Sequence, residues 1–328
     1  MTRVSFEQAE ARLTEIFAAA GASSANAASV AWALVMAEAD GLKGHGLSRV
    51  PTYLAMLKSG KIDGRAVPKA TRPKPGVLAI DAGHGFAYPA IDLAVAKLPE
   101  LAREQGIVAA PIRRSNHCGA AGLHVERLAE QGLVAMLYAN TPGAIAPWGG
   151  SKPVFGTNPI AFAAPLAGRE PVVIDMALSK VARGPIVAAK QRGEAIPEGW
   201  ALDVHGKPTT EAGAALAGTM VPLGDAKGAT LAMMVEILAA ALVGAHFGFQ
   251  ASSFLDDKGA PPDTGQLILA IDPHAMGGNW FDERMRVLVH AIEAQEGTRL
   301  PGVRRLNLRA KARSEGVDMP DELLAALR

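Results

Sequence analysis

The chain has 328 residues, with 33 Lys and Arg against 32 Asp and Glu, 49% apolar and 20% charged residues. That describes a globular protein with a large core and room for two or three domains, and excludes a disordered chain. The even charge, with no run of one sign, leaves no basic stripe for nucleic acid. The single Cys118 excludes an internal disulfide framework and suits a reducing compartment.

Ser5-Phe6-Glu7-Gln8 reads as a capping box, and Leu13, Ile16 and Phe17 follow at helical spacing until Gly21. Thr2-Arg3-Val4-Ser5 ahead of this polar helix does not read as a signal peptide, so a cytoplasmic location is expected. A second helix is expected from about Ser24 to Ala39 and a third up to Lys58, closed by Ser59-Gly60. Val67 to Gly76 holds three prolines and reads as a connector.

From Val77 the pattern changes to short apolar strands alternating with helices. Strands are expected at Val77–Ile80, Ile107–Ile112, Leu133–Ala139, Ile160–Ala164, Val172–Ile174 and Leu267–Ile271. Helices fall at about Ala90–Gln105 and Ala121–Gln131, each stopped by glycine. Gly193 to Thr210 reads as loop. Ala229 to Gly244 is the longest apolar run, includes Glu236, and is short for a membrane span, so a buried helix is expected there. The tail from about Phe281 is helical and charged. The residues alone therefore give an α/β mixture with helical caps from both chain ends.

Asp40-Gly41-Leu42-Lys43-Gly44-His45-Gly46-Leu47-Ser48-Arg49-Val50-Pro51 joins two of these helices. An imidazole can exchange a proton near neutral pH and a guanidinium fits a carboxylate, so His45 and Arg49 suit a carboxylate substrate that gains or loses a proton. A glycine-rich surface loop is the plain alternative. Ser48 is placed to cap the next helix, with Pro51 in its first turn. Ser115 to Gly122 is a strand-to-helix loop of small residues, the physics of an anion cradle, although an ordinary turn fits equally well. Asp225-Ala226-Lys227-Gly228 repeats that pattern. Ser179 to Gly184 adds Lys180 and Arg183, charge suited to a cofactor phosphate. Neither Gly-x-Gly-x-x-Gly nor a P-loop occurs, and the His and Cys spacings suit no zinc site, so no metal is expected.

Five ordered stretches carry a resemblance: Gly44 to Pro51, Ser115 to Gly119, Phe155 to Ala161, Ile174 to Ser179 and Leu300 to Arg305. Together they resemble the malate/L-lactate dehydrogenase-like oxidoreductases, a family distinct from the Rossmann dehydrogenases, and within it most nearly the Δ1-piperideine-2-carboxylate and Δ1-pyrroline-2-carboxylate reductases. The resemblance implies a non-Rossmann NAD(P)-binding α/β fold, with a largely antiparallel sheet wrapped by helices. It implies a helical domain of residues 1–75 together with 281–328, a cofactor-binding domain of residues 76–280, and a homodimer with the active site between domains and at the dimer interface. By motif match His45 takes the proton-donor place, and Arg49 and Thr157 bind substrate. His117, Cys118, Gly119, Ala120, Ala121, Asp175, Met176, Ala177, Ala226 and Lys227 line the cofactor, NADP or NAD, with NADP favoured.

The implied function is an NAD(P)H-dependent reductase of a small 2-imino or 2-oxo carboxylate, cyclic imines first, with hydride to C2 and a proton from His45. A 2-hydroxy-acid dehydrogenase of the malate, lactate, sulfolactate or ureidoglycolate type is the alternative. A catalytically inactive cofactor-binding protein is another. Two positions depart from the imine-reductase pattern: Gly44 stands where a serine precedes the histidine, and Pro185 where an aspartate is expected.

Overall fold

Ser5 opens the first helix by the reciprocal pair its sequence calls for. Its Oγ accepts from the Gln8 N–H at 3.2 Å, and the Gln8 Oε1 accepts from the Ser5 N–H at 3.0 Å. The computed structural model describes residues 1–325. In it α1 (Phe6–Ala19) and α2 (Ser24–Ala39) pack together. Two short 3₁₀ turns, Lys43–His45 and Leu47–Arg49, lead into α3 (Val50–Ser59), which ends on Gly60 at φ 77°. The strand Thr2–Val4 pairs with Val317–Met319, and Val317 and Met319 enter the same core as α1 to α3.

The central sheet has seven strands: β1 (Lys69–Lys74), β2 (Val77–Asp81), β3 (Ile107–Ser115), β4 (Val134–Ala139), β5 (Ile160–Leu166), β6 (Arg169–Met176) and β7 (Thr264–Ile271). Their spatial order is β1-β2-β3-β7-β4-β5-β6, and only β2 with β3 runs parallel. Helices α4 (Ala87–Gln105) and α5 (Ala121–Ala129) share one core with the sheet. Ile80, Ile91, Leu98, Ile112, Leu137 and Ile268 are all buried there. Each such side chain stabilises by roughly 1.5–3 kcal/mol. The register runs Ala110, Ile268, Leu137, Ala161, Asp175 straight across five strands. Directly opposed residues share a face, so Asp175 stands on the face that packs α5.

A third core gathers Leu178, Ile186, Ala189, Met220, Ala232 and Val235. It joins α6 (Arg183–Arg192), a small three-stranded sheet and α7 (Ala226–Glu236). Later in the chain come α8 (Trp280–Glu293) and α9 (Val303–Glu315). Arg305 and Arg309 of α9 bind Asp40 at the end of α2 and Glu126 on α5, at 2.7–2.9 Å. Burial works to raise the Glu126 pKa, but the two guanidiniums outweigh it and hold it below the usual range. This quartet fastens the helical layer to the sheet layer.

Three expectations are corrected. The proline-rich connector holds β1, an edge strand whose register breaks between Thr71 and Lys74. Proline is tolerated at such an edge. The loop-like stretch from Gly193 contains the short strands Ala201–Leu202 and Pro208–Thr209. The helix expected to be buried from Ala229 starts at Ala226, turns π-helical over Ile237–Ala241, and buries one face only. Leu231, Met233, Met234, Ile237 and Leu242 are exposed, Leu242 by 64%.

Candidate active site

Glycine is required at 46, not at 44. A Cβ on Gly46 would lie 2.3 Å from Glu38 Oε2 and 3.0 Å from the Glu38 backbone, so the segment can lie against α2 only without a side chain. Glu38 is buried; it accepts the Leu47 N–H at 3.0 Å and pairs with Lys43. A Cβ on Gly44 would meet nothing within 4 Å. The cap expected from Ser48 is not formed: its hydroxyl donates to the Lys43 carbonyl at 2.6 Å, and Arg49 holds the N-cap position of α3. Pro51 does fall in the first turn.

Arg49 Nε donates to the Gly44 carbonyl at 2.7 Å and Nη1 to the Phe254 carbonyl at 3.4 Å. A guanidinium has five N–H donors, so the side chain is oriented with donors left for a ligand. His45 stacks on His117, with ring centroids 5.3 Å apart and planes 14° from parallel. His117 Nδ1 lies 2.7 Å from the Tyr53 hydroxyl, which lies 3.0 Å from the Tyr88 hydroxyl. The Phe254 ring sits 5.3 Å from His117. The two stretches singled out in the sequence, 40–51 and 115–122, therefore meet here.

Burial, aided by Arg49, depresses the His45 pKa to about 4. The same causes, with His45 added, hold His117 well below its ordinary value. Both imidazoles are neutral at pH 7. The buried His45 Nδ1 has no hydrogen-bond partner among the described residues, so the protein leaves this nitrogen's hydrogen-bonding capacity unused. Burial raises Tyr53 to about 12 and the Cys118 thiol to about 12, so Cys118 contacts its surroundings as a thiol and not as a nucleophile.

At the start of α5 the anion is supplied by the protein itself: Asp175 Oδ2 accepts the Gly122 N–H at 2.7 Å. The free cradle expected at Ser115 to Gly122 is thus partly satisfied, the favoured position of a carboxylate at a helix N-terminus. Desolvation raises the Asp175 pKa, with Gly122 and Arg305 opposing. Asp175 and Gly122 face a cavity of about 470 Å³, walled opposite by Arg299, Gly302, Arg304 and Arg305. The volume is in the range of ligand pockets, and the arginines suit phosphates. The lining does not include Lys180 or Arg183. Arg183 instead donates to the Leu216 carbonyl at 3.4 Å.

Thr157 belongs to a second group. Its N–H donates to Thr141 Oγ1 at 2.9 Å, its carbonyl accepts from Leu178 at 2.7 Å, and the Leu178 carbonyl accepts from Leu223 at 2.8 Å. That ladder brings Thr157, the end of β6 with Met176 and Ala177, and the approach to Ala226 and Lys227 alongside one another. Asp225 precedes α7 at φ 57° without a side-chain cap bond. Buried Glu236 holds this group, accepting from Gly156, Asn158, Asn140 and Gly248 at 2.9–3.3 Å.

Tyr53, Tyr88, Phe254, Glu236 and the arginines at 299–305 were not singled out for site roles by sequence reasoning. Tyr53 had a signal, being one helical turn past Arg49. Leu300 to Arg305 had one as a motif. Glu236 had a signal as the one charge within the apolar run Ala229–Gly244, whereas Phe254 had none, since its partners lie far away in the chain.

A family model described as malate/L-lactate dehydrogenase matches residues 4–328. A (2R)-3-sulfolactate dehydrogenase (NADP(+)) of Chromohalobacter salexigens is 50% identical over 325 residues, covering 99% of this chain and 97% of its own. A Δ1-pyrroline-2-carboxylate/Δ1-piperideine-2-carboxylate reductase of Pseudomonas putida is 41% identical, covering 100% and 96%. The crystal structure of the Δ1-piperideine-2-carboxylate reductase of Pseudomonas syringae pv. tomato superimposes with a TM-score of 0.94 at 39% identity, covering 100% of this chain and 99% of its own.

Proposed function

Because the chain belongs to the malate/L-lactate dehydrogenase family, and so is a nicotinamide-dependent oxidoreductase, we propose that it reduces a small 2-imino or 2-oxo carboxylate with NAD(P)H. The observation that carries this reading is the pairing of an oriented, donor-rich Arg49 with a His45 whose buried Nδ1 has no hydrogen-bond partner among the described residues. The cofactor supplies hydride to C2 when bound. Arg49 holds the substrate carboxylate and Thr157 the far side of the substrate, while His45 exchanges the proton at the C2 substituent. Asp175, Met176, Ala177, the 117–121 turn and the Ala226-Lys227 corner line the dinucleotide. Arg299 and Arg304 supply charge for its phosphates, which suits the additional phosphate of NADP.

Cyclic imines such as Δ1-pyrroline-2-carboxylate are the first substrates in this reading. The 2-hydroxy-acid direction is supported by a separate observation: Gly44 and Pro185 lack the groups that accompany the histidine in the imine-reductase pattern, and a neutral imidazole accepts a hydroxyl proton directly. A turnover screen of Δ1-pyrroline-2-carboxylate, Δ1-piperideine-2-carboxylate, pyruvate and 3-sulfolactate with both nucleotides decides between them. Nucleotide binding with no turnover of any of these acids would leave a catalytically inactive binding protein.

The enzyme is also read as a cytoplasmic homodimer. Support comes from the exposed apolar side of α7, since a helix apolar all round is ordinarily covered. The active site then sits between the residue 1–75 and 281–328 layer and residues 76–280, at the dimer interface. Light scattering of the purified chain tests the assembly.

A further inference from the structure

Lys61 follows the left-handed Gly60 that ends α3, and its side chain is 0% exposed. Its ammonium donates to three main-chain carbonyls of one loop: Ser253 at 2.7 Å, Asp256 at 3.0 Å and Lys258 at 2.7 Å. The Asp256 carboxylate lies 3.7 Å away. An ammonium has three N–H donors, so all of them are committed to residues 253–258. A buried ammonium is unfavourable unless so paired, and its loss would strand three carbonyls.

Residues 253–258 form neither helix nor strand, so backbone ladders do not fix them. The Leu255 and Lys258 N–H groups donate to side chains of the same loop, Ser253 and Asp256. Within this loop Phe254 is buried, its ring against His117 and its carbonyl accepting from Arg49. One loop therefore touches α3 at both ends, Arg49 at its start and Lys61 past its end.

We propose that Lys61 is a positioning residue, whose ammonium fixes the 253–258 loop so that Phe254 walls the imidazole pair and its carbonyl aims the Arg49 guanidinium at the substrate carboxylate. This rests on the reading of Arg49 as the carboxylate clamp. Lys61→Met keeps the apolar stem and removes the ammonium. With Δ1-pyrroline-2-carboxylate or 3-sulfolactate, whichever turns over, KM should rise about tenfold to a hundredfold. The change in kcat should be smaller, and the Kd for NADPH, read by nucleotide fluorescence, should stay within twofold. Lys61→Ala should recover part of its KM loss in propylammonium and none in sodium at equal ionic strength.

Amide hydrogen exchange of the full chain without substrate gives a second reading: residues 253–258 should exchange faster in Lys61→Met, while α4 is unchanged. If Lys61→Met does not fold, Lys61→Gln, which retains two donors, should show the same changes in smaller degree. Unchanged loop protection, KM within twofold of wild type, or a KM loss that propylammonium leaves untouched would overturn the proposal. Arg49→Ala run in parallel separates the two failures. If Arg49→Ala also leaves KM unchanged, the clamp reading is wrong; if it raises KM while Lys61→Met does not, only the role of Lys61 is.

Discussion

His45 and His117 lie face to face, 5.3 Å between ring centroids, and both are neutral at pH 7. Two stacked imidazolium ions would repel, and Arg49 opposes a charge on either ring. The pair therefore takes up at most one added proton near neutral pH. With Arg49 as the proposed carboxylate clamp, a seated carboxylate would remove part of that opposition, and carboxylate binding itself would favour protonation of the pair.

The first prediction concerns pH. With His45 as the proposed proton acceptor, oxidation of a 2-hydroxy acid would use its neutral form, so kcat/KM should stay flat from pH 8 to about 5 and fall towards its pKa of about 4. For 2-oxo acid reduction the protonated pair is the active form, and kcat should show a higher apparent pKa than kcat/KM. A limb near 6.5 in the oxidative kcat/KM that His45→Gln abolishes would count against a neutral His45.

Stability should follow the same histidines. His45, His117 and His124 have folded pKa values below the ordinary 6.5, two of them at about 4. Between those values the unfolded chain binds more protons, so stability is full above about 6.5 and is lost as pH falls. The slope is on the order of 1.4 kcal/mol per pH unit for each histidine. Denaturant midpoints measured from pH 7.5 to 4.5 check this, and a midpoint that holds constant across the range would contradict it.

Arg49→Lys keeps the charge and loses the fork. It should raise KM for every carboxylate substrate by about tenfold, with kcat falling less. Steady-state kinetics with two substrates of different chain length test it; an effect on only one of them would mean that Arg49 reads something other than the shared carboxylate.

Gly44→Ser should fold normally, since a Cβ there meets nothing within 4 Å, with a stability change within about 0.5 kcal/mol. It restores the serine that the imine-reductase pattern places before the histidine, and turnover of Δ1-pyrroline-2-carboxylate relative to 3-sulfolactate should rise. Gly46→Ser, by contrast, would drive its Cβ into Glu38 and should cost about 1–3 kcal/mol.

Arg309→Met removes a guanidinium shared by Asp40 and Glu126. Breaking a buried charge network in this way costs roughly 3–5 kcal/mol. Adding Asp40→Asn should recover part of it, and urea unfolding of the single and double variants measures both.

The sequence marked what is local. The capping box at Ser5, the glycine stops at Gly60 and Gly106, and the strand-helix alternation after Val77 depend on neighbours within a turn or a pleat, and they fall close to where they are read. His45 and Arg49 stand out as candidates because their chemistry shows in a short stretch. β1 was not, because an exposed edge strand needs no apolar alternation and tolerates proline. Asp175 at the mouth of α5 was not, since the bond spans 53 residues. Nor was the bare side of α7, whose apolar residues read as core until the packing shows only one face covered.

The Asp40–Glu126–Arg305–Arg309 quartet also sets an order of assembly during synthesis. Domains form as the chain emerges, N-terminal parts first, yet Asp40 and Glu126 acquire their counter-ions only with α9 (Val303–Glu315). A nascent chain that has yet to release α9 carries two carboxylates in a seam not yet neutralised, directly beneath the segment that presents His45. The ribosome thus delivers the stretch with His45 early and the arginines that fasten it only 265 residues or more after Asp40.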